Sequence, residues 1–213
     1  MKNVDDLIES ARELADRGLS KGEIADELNV SRETASWLVE RSGRTPAAAE
    51  ARSAASGPHD IHVDWSALGR DSQRLAHVGA AMADLLGDSE DAVDLTIGIE
   101  KAGAPLATTV ARELETDLGT YAPRKHQWDD DDIEDLGGSF SRNFAQIRER
   151  ECYVVDDTIT SGTTMTETVQ AVREEGGKPV ACCVLADKRG VEEIEGVPVY
   201  SLVQVIRVGS EGE

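Results

Sequence analysis

Cys152-Tyr153-Val154-Val155-Asp156-Asp157-Thr158-Ile159-Thr160-Ser161-Gly162-Thr163-Thr164 opens as a short, Val-rich apolar run and ends in small polar residues. The apolar part suits a strand buried on both faces. Two adjacent carboxylates, Asp156 and Asp157, close it. Gly and hydroxyl residues follow, and then a helix pattern with Met165, Val169 and Val172 on one face. Strand, small-residue loop and helix start form a cradle for an anion, because backbone N–H groups and the helix dipole point into the loop. Gly162 lets the backbone approach closely, and Thr160, Ser161, Thr163 and Thr164 add donors. Carboxylates at a strand tip accept hydrogen bonds from vicinal hydroxyls. A site holding both hydroxyls and a phosphate points to ribose 5-phosphate or a similar sugar phosphate.

Charge sets the setting in which that site works. The 213 residues carry 42 acids against 22 bases, a net charge of −20, and only six of the bases are lysines. Such a surface suits high salt, where the Debye length shrinks to about 3 Å and self-repulsion fades. Hydrophobic residues make up 39% of the chain, enough for one ordinary domain and a small one. Cys152, Cys182 and Cys183 lie in apolar runs without metal-ligand spacing, so reduced core thiols in a reducing compartment are expected. No apolar run approaches the ~20 residues of a membrane span. A soluble cytoplasmic protein is the expectation.

Residues 1–44 read as three helices. Leu7, Ile8, Ala11, Leu14 and Ala15 share a face of the first, which Gly18 stops. Ser20-Lys21-Gly22-Glu23 is a capping box opening the second, with Ile24, Ala25 and Leu28 inside. Asn29-Val30-Ser31 makes a turn, and Ser31 caps the third helix. Lys21 to Glu40 looks like a helix-turn-helix. A small residue, Ala25, stands where two such helices touch, and Asn29 tolerates the left-handed conformation where Gly is usual. The exposed face of the third helix would carry Arg32, Glu33, Thr34, Ser36 and Trp37, with Arg41 and Arg44 beyond. Side chains there reach base edges and phosphates of double-stranded DNA. The segment holds seven bases and ten acids, so base contacts and shape must supply affinity that net charge does not.

Thr45 to Pro58 is rich in Ala, Ser, Pro and Gly and reads as a linker. A second domain is expected from residue 59 to 213. Ile61 to Trp65 alternates like an edge strand, and Ser72 to Leu86 has helical periodicity. The strand Leu95-Thr96-Ile97-Gly98-Ile99 leads through Glu100-Lys101-Ala102-Gly103 into another helix, and Lys101 offers a point charge to a phosphate. Further strands are predicted over Gly119–Tyr121, Gly138–Ala145, Pro179–Ala186 and Val197–Val203. Strands alternating with helices predict an α/β fold with a parallel sheet flanked by helices. Its ligand site lies at the carboxyl ends of the strands.

The stretch around Asp156-Asp157 resembles the phosphoribosyl-pyrophosphate motif of type I phosphoribosyltransferases. The Glu100–Pro105 loop resembles their pyrophosphate loop. From about residue 60 to 208 the order of features is similar to orotate phosphoribosyltransferases, including Ala186-Asp187-Lys188-Arg189-Gly190 and Val197 to Leu202. With the helix-turn-helix in front, the chain looks like the haloarchaeal orotate-phosphoribosyltransferase-like regulators of central sugar catabolism. That resemblance implies a chain that binds DNA and uses the transferase fold to hold a phosphorylated effector, and reading two half-sites calls for a homodimer or higher homo-oligomer. Arg124, Lys125 and His126 match the opening of the enzymes' mobile loop. Where its further Lys and Gly-rich tip belong, this chain has Asp129 to Asp132, Glu134 and Asp135. A loop of that sign repels pyrophosphate, so binding without turnover is expected, with no catalytic residue assigned. No metal is required, although Mg²⁺ can accompany a phosphorylated ligand. The alternative is an active, Mg²⁺-dependent orotate or purine phosphoribosyltransferase.

Overall fold

Three apolar faces meet in the first part of the chain. The computed structural model describes residues 4–42, 60–87, 93–123 and 138–206. They belong to two compact units, Met1–Ala67 and Leu68–Glu213. In the first, α1 (Val4–Asp16), α2 (Lys21–Glu27) and α3 (Arg32–Ser42) bury Ala11, Leu14, Ile24, Ala25, Leu28, Val30, Ala35 and Leu38 in one core. Gly18 takes φ +87, and the Leu19 N–H then reaches back to the Leu14 carbonyl at 3.2 Å, closing α1 with a left-handed cap. The Ser20–Glu23 capping box is formed from both sides, at 3.3 and 2.7 Å. Asn29 adopts φ +49 in the turn, and the Val30 N–H closes on the Ala25 carbonyl at 2.9 Å.

The strand expected over Ile61–Trp65 is not there; the segment is irregular. Its hydrogen-bonding groups go to the helix-turn-helix instead. The Asp60 carboxylate accepts from the Ser31 N–H, and His62 Nδ1–H donates to the Leu28 carbonyl. Asn29 Nδ2 donates to the Val63 carbonyl at 3.1 Å. Burial does not alternate either: Ile61, His62, Val63 and Trp65 are all half-buried, and only Asp64 is exposed.

A single helical turn, α4 (Ser66–Gly69), leads to α5 (Ser72–Gly87). Then follow β1 (Leu95–Ile99), α6 (Gly103–Leu114), β2 (Asp117–Ala122), β3 (Ser139–Phe140), β4 (Glu151–Ile159), α7 (Thr163–Glu174), β5 (Lys178–Asp187), β6 (Glu193–Ile194) and β7 (Val197–Gln204). The sheet runs β3-β2-β1-β4-β5-β7-β6. Its five inner strands are parallel, and β3 and β6 add antiparallel edges. The strand expected over Gly138–Ala145 shrinks to two residues. Ser141 and Ala145 still donate to Thr120 and Leu118, but a turn at Arg142–Asn143 lifts the chain between them.

β4 lies at the centre with Cys152 to Val155 buried, as its apolar run predicts. On one face, α7 packs Met165 and Val169 against Val154, Cys182 and Val184, and Val172 against Leu95, Ile97 and Cys152. α5 covers the other face, where the Tyr153 hydroxyl donates to the Leu86 carbonyl at 3.2 Å. α6 lies so close to β1 that a Cβ on Gly98 would stand 2.7 Å from both Ala104 Cα and Ala107 Cβ. β1 leads through α6 to β2 on one side, whereas β4 leads through α7 to β5 on the other. The order therefore reverses between β1 and β4, the place where open α/β sheets form their ligand crevice beyond the strands' carboxyl ends.

Candidate functional site

At the tip of β4, Asp156 is half-buried and accepts the Asp157 N–H on Oδ1 at 2.9 Å. Asp157 is only 7% exposed. Thr160, Ser161 and Gly162 turn the chain into α7, with Gly162 at φ +81 as its N-cap, a conformation that costs an L-residue about 1–2 kcal/mol. Ser161 Oγ donates to Thr163 Oγ1 at 3.0 Å and accepts the Thr163 N–H at 3.3 Å. Thr164 is the second residue of the helix, its carbonyl accepting from Thr168 Oγ1 at 2.8 Å.

Across the crevice, β1 ends in a cis Glu100–Lys101 peptide, Lys101 is exposed, and Ala102 is the N-cap of α6. Gly103 brings the two loops together. A Cβ there would lie 2.6 Å from the Val155 carbonyl oxygen, 2.8 Å from Asp156 Cα and 2.9 Å from Asp156 Oδ1. The start of α6 is thus seated on the acid pair, which the sequence pattern alone does not reveal.

How the helices begin separates this crevice from the rest of the fold. α2 is closed by its capping box, α3 by Ser31 Oγ on the Thr34 N–H at 3.1 Å, and α5 by Asp71 Oδ1 on the N–H groups of Gln73 and Arg74. Neither α6 nor α7 has a side-chain cap hydrogen bond at its N-cap. Neither N-cap residue supplies a capping oxygen, although Ser161 Oγ takes the Thr163 N–H, and the two dipole ends stand at the carboxyl ends of adjacent strands. Asp156 and Asp157 lie in the last four residues of β4, Thr160, Ser161 and Gly162 in the loop after it, Thr163 and Thr164 in the first turn of α7, and Lys101 in the loop after β1. Arg124, Lys125 and the acidic stretch to Asp135 lie outside the described residues.

Sequence reasoning did not assign the end of β5 to the site. There Asp187, 2% exposed, accepts the N–H of Arg189 at 2.7 Å and of Val191 at 2.6 Å. Arg189 Nη1 donates to the Ser161 carbonyl, so the β5 loop touches the anion loop directly. An acid at a strand end followed at once by Lys188 and Arg189 is the signal that could have found it.

Among the described residues, no three metal-capable side chains converge. Mg²⁺ is usually held by one or two carboxylates together with phosphate oxygens of a ligand, and Asp156 and Asp157 fit that smaller role. The thiols lie in the core. Burial pushes Cys152 and Cys183 up to about 12 and raises Cys182 further.

The second candidate surface is α3. Arg32 and Glu33 are exposed, and Thr34, Ser36, Trp37 and Arg41 are half-buried. The Arg32 guanidinium lies over Gly22, where a Cβ would meet Nη2 at 3.2 Å. Thr34 Oγ1 is within 2.9 Å of Ser31 Oγ, which ties it to the helix cap. Trp37 packs against the three-helix core and carries Arg41 over its ring at 5.0 Å, a cation–π contact. Arg44 lies outside the described residues. No described helix is long and apolar enough to cross a membrane.

Residues 64–208 match the phosphoribosyl transferase domain family. A Haloarcula marismortui protein named Transcriptional regulator GfcR is 76% identical over 213 residues, covering 100% of both chains. The Haloquadratum walsbyi protein of the same name is 70% identical over 99% of this chain and 96% of its own length. Among solved structures, orotate phosphoribosyltransferase from Aeropyrum pernix superposes with a TM-score of 0.57 at 20% identity, over 72% of this chain and 83% of that one. The last comparison speaks to fold alone.

Proposed function

We infer the function from a plain premise: the chain belongs to the phosphoribosyl transferase domain family and, along its whole length, to the regulators named GfcR. It is a DNA-binding transcriptional regulator with two separate binding tasks. α3 reads the major groove of double-stranded DNA, with Arg32 as the exposed cation at its start. The crevice beyond β1 and β4 holds a phosphorylated sugar or a nucleotide-like metabolite. Its phosphate lies against the start of α7, and its hydroxyls against Asp156 and Asp157. The carrying observation is the pair of helix N-termini whose N-cap residues, Ala102 and Gly162, supply no side-chain cap, at the reversal of strand order and beside that acid pair. As the resemblance implies, the genes controlled are those of central sugar catabolism. Reading two half-sites requires a homodimer. The protein works in the cytoplasm at high salt, and Mg²⁺ enters only with the ligand.

The site binds without turning over. Expelling pyrophosphate from a phosphoribosyl group needs several cations delivered over the leaving group. In this chain Asp129 to Asp132, Glu134 and Asp135 follow the only matching bases, Arg124, Lys125 and His126. The experiment pairs two assays in about 1 M potassium chloride, where the Debye length is about 3 Å. Promoter fragments from the source genome are titrated with and without ribose 5-phosphate and other sugar phosphates. A preference among fragments that a sugar phosphate changes is expected, and indifference to both overturns the reading. Pyrophosphate release from phosphoribosyl pyrophosphate with orotate or adenine is followed in parallel. Turnover near the ~10 s⁻¹ typical of enzymes would instead establish the transferase.

A further inference from the structure

We propose that Arg189 is a positioning residue for the crevice: by holding the Ser161 carbonyl, it aims the Gly162 N–H at the bound anion. The proposal rests on reading the 160–164 loop as a phosphate cradle. Arg189 Nη1 donates to the Ser161 carbonyl from the end of β5, the strand beside β4. The Ser161–Gly162 peptide is trans, so its N–H points opposite to its C=O. With the carbonyl drawn toward Arg189 at the end of β5, the Gly162 N–H points the opposite way. Among the described residues that N–H has no hydrogen-bond acceptor, whereas the neighbouring Thr163 N–H is taken by Ser161 Oγ at 3.3 Å.

Arg189 is itself held from below. Asp187, 2% exposed, accepts the N–H groups of Arg189 and Val191 on its two oxygens, at 2.7 and 2.6 Å. The Lys188 N–H donates to the Ile159 carbonyl at 3.0 Å, and the Val205 N–H to the Asp187 carbonyl at 2.8 Å. A buried carboxylate thus fixes the short β5 loop, the loop fixes a guanidinium, and the guanidinium fixes one peptide plane. Gly162 at φ +81 lets that peptide rotate more freely than any other residue would, so an external clamp has something to do.

The test compares the full chain with Arg189→Ala and Arg189→Lys in about 1 M potassium chloride, where charge attraction beyond about 3 Å is screened. Inorganic phosphate and ribose 5-phosphate are the probes, read by calorimetry and by the Gly162 amide resonance. Because the Arg189 side chain is exposed, the ligand-free Ala variant should melt within about 2 °C of the parent. Its affinity for either probe should fall about tenfold, as loss of one pre-aimed hydrogen bond implies. The Gly162 amide should already shift without ligand and should lose its response to phosphate. Lys, which keeps a donor, should recover most of the affinity. Unchanged affinity in Arg189→Ala overturns the proposal. So does a fall in affinity with the Gly162 response intact, since that is direct attraction and not positioning. If the parent binds neither probe, the cradle reading itself fails. The ligand-free Gly162 resonance then still decides about Arg189: the same position in parent and Ala variant refutes the clamp.

Discussion

Gly103→Ala tests the geometry that joins the two halves of the crevice. The added Cβ would sit 2.6 Å from the Val155 carbonyl oxygen and 2.8 Å from Asp156 Cα, both main-chain atoms of the central strand. Neither can swing aside as a side-chain end would. Reaching an ordinary 3.4 Å contact requires the start of α6 to retreat by about 0.8 Å. Overpacking of this kind costs about 1–3 kcal/mol. Ala in place of Gly in a helix returns up to about 1 kcal/mol, and less at the first position. A net loss of about 1–2 kcal/mol lowers the melting temperature of a chain this size by about 2–8 °C. Binding suffers more than folding, because the retreat carries Lys101 and the α6 N-terminus away from Asp156. Ribose 5-phosphate affinity, measured by calorimetry in about 1 M potassium chloride, should fall at least about tenfold. Gly87→Ala is the control: a Cβ there meets nothing within 4 Å, so affinity should be unchanged and the melting temperature should not fall. If Gly103→Ala melts and binds like the parent, the contact between α6 and Asp156 does not shape the site.

Other substitutions separate the two tasks. Arg32→Ala should weaken promoter binding by about tenfold and leave sugar-phosphate affinity unchanged, whereas Asp157→Asn should do the reverse; gel shift and calorimetry on both variants check this. Trp37→Ala is a poorer probe of DNA contact, because its loss also opens the three-helix core. Asp60→Ala removes the acceptor of the Ser31 N–H and should destabilise the helix-turn-helix by about 1–2 kcal/mol, read as faster amide exchange in α3. Burial raises the Cys152 and Cys183 thiols from 9.0 to about 12, so the unfolded chain releases those protons first. Their contribution is fully present below about pH 9 and is lost progressively toward about pH 12. Denaturant midpoints should therefore fall above about pH 9, and less steeply in Cys183→Ala; an identical slope would contradict the burial.

Most of the α/β frame was legible because its signals are local. The Val run of β4, the glycine and hydroxyl loop after Asp157 and the periodicity of α5 each lie within a dozen residues. The helix-turn-helix was legible for the same reason: Gly18, the Ser20–Glu23 box and Asn29 are caps and turns, fixed by neighbours in sequence. What escaped depends on distant contacts. Ile61–Trp65 alternates as a strand does, yet partners on α2 and in the Asn29 turn outcompete the sheet. The approach of Gly103 to Asp156 joins residues 53 positions apart, and Arg189 meets Ser161 across 28. No pattern along the chain announces either one. β6 and α4 are two and four residues long, too short for periodicity to speak.

The Ala- and Ser-rich stretch between Ser42 and Asp60 is flanked on both sides by residues of one unit, since Asp60 accepts the Ser31 N–H. A protease nick inside it would leave the DNA-reading helices still fastened through Asp60, His62 and Val63. The chain crosses from one body to the other at Ala67–Leu68, inside the single turn Ser66–Gly69.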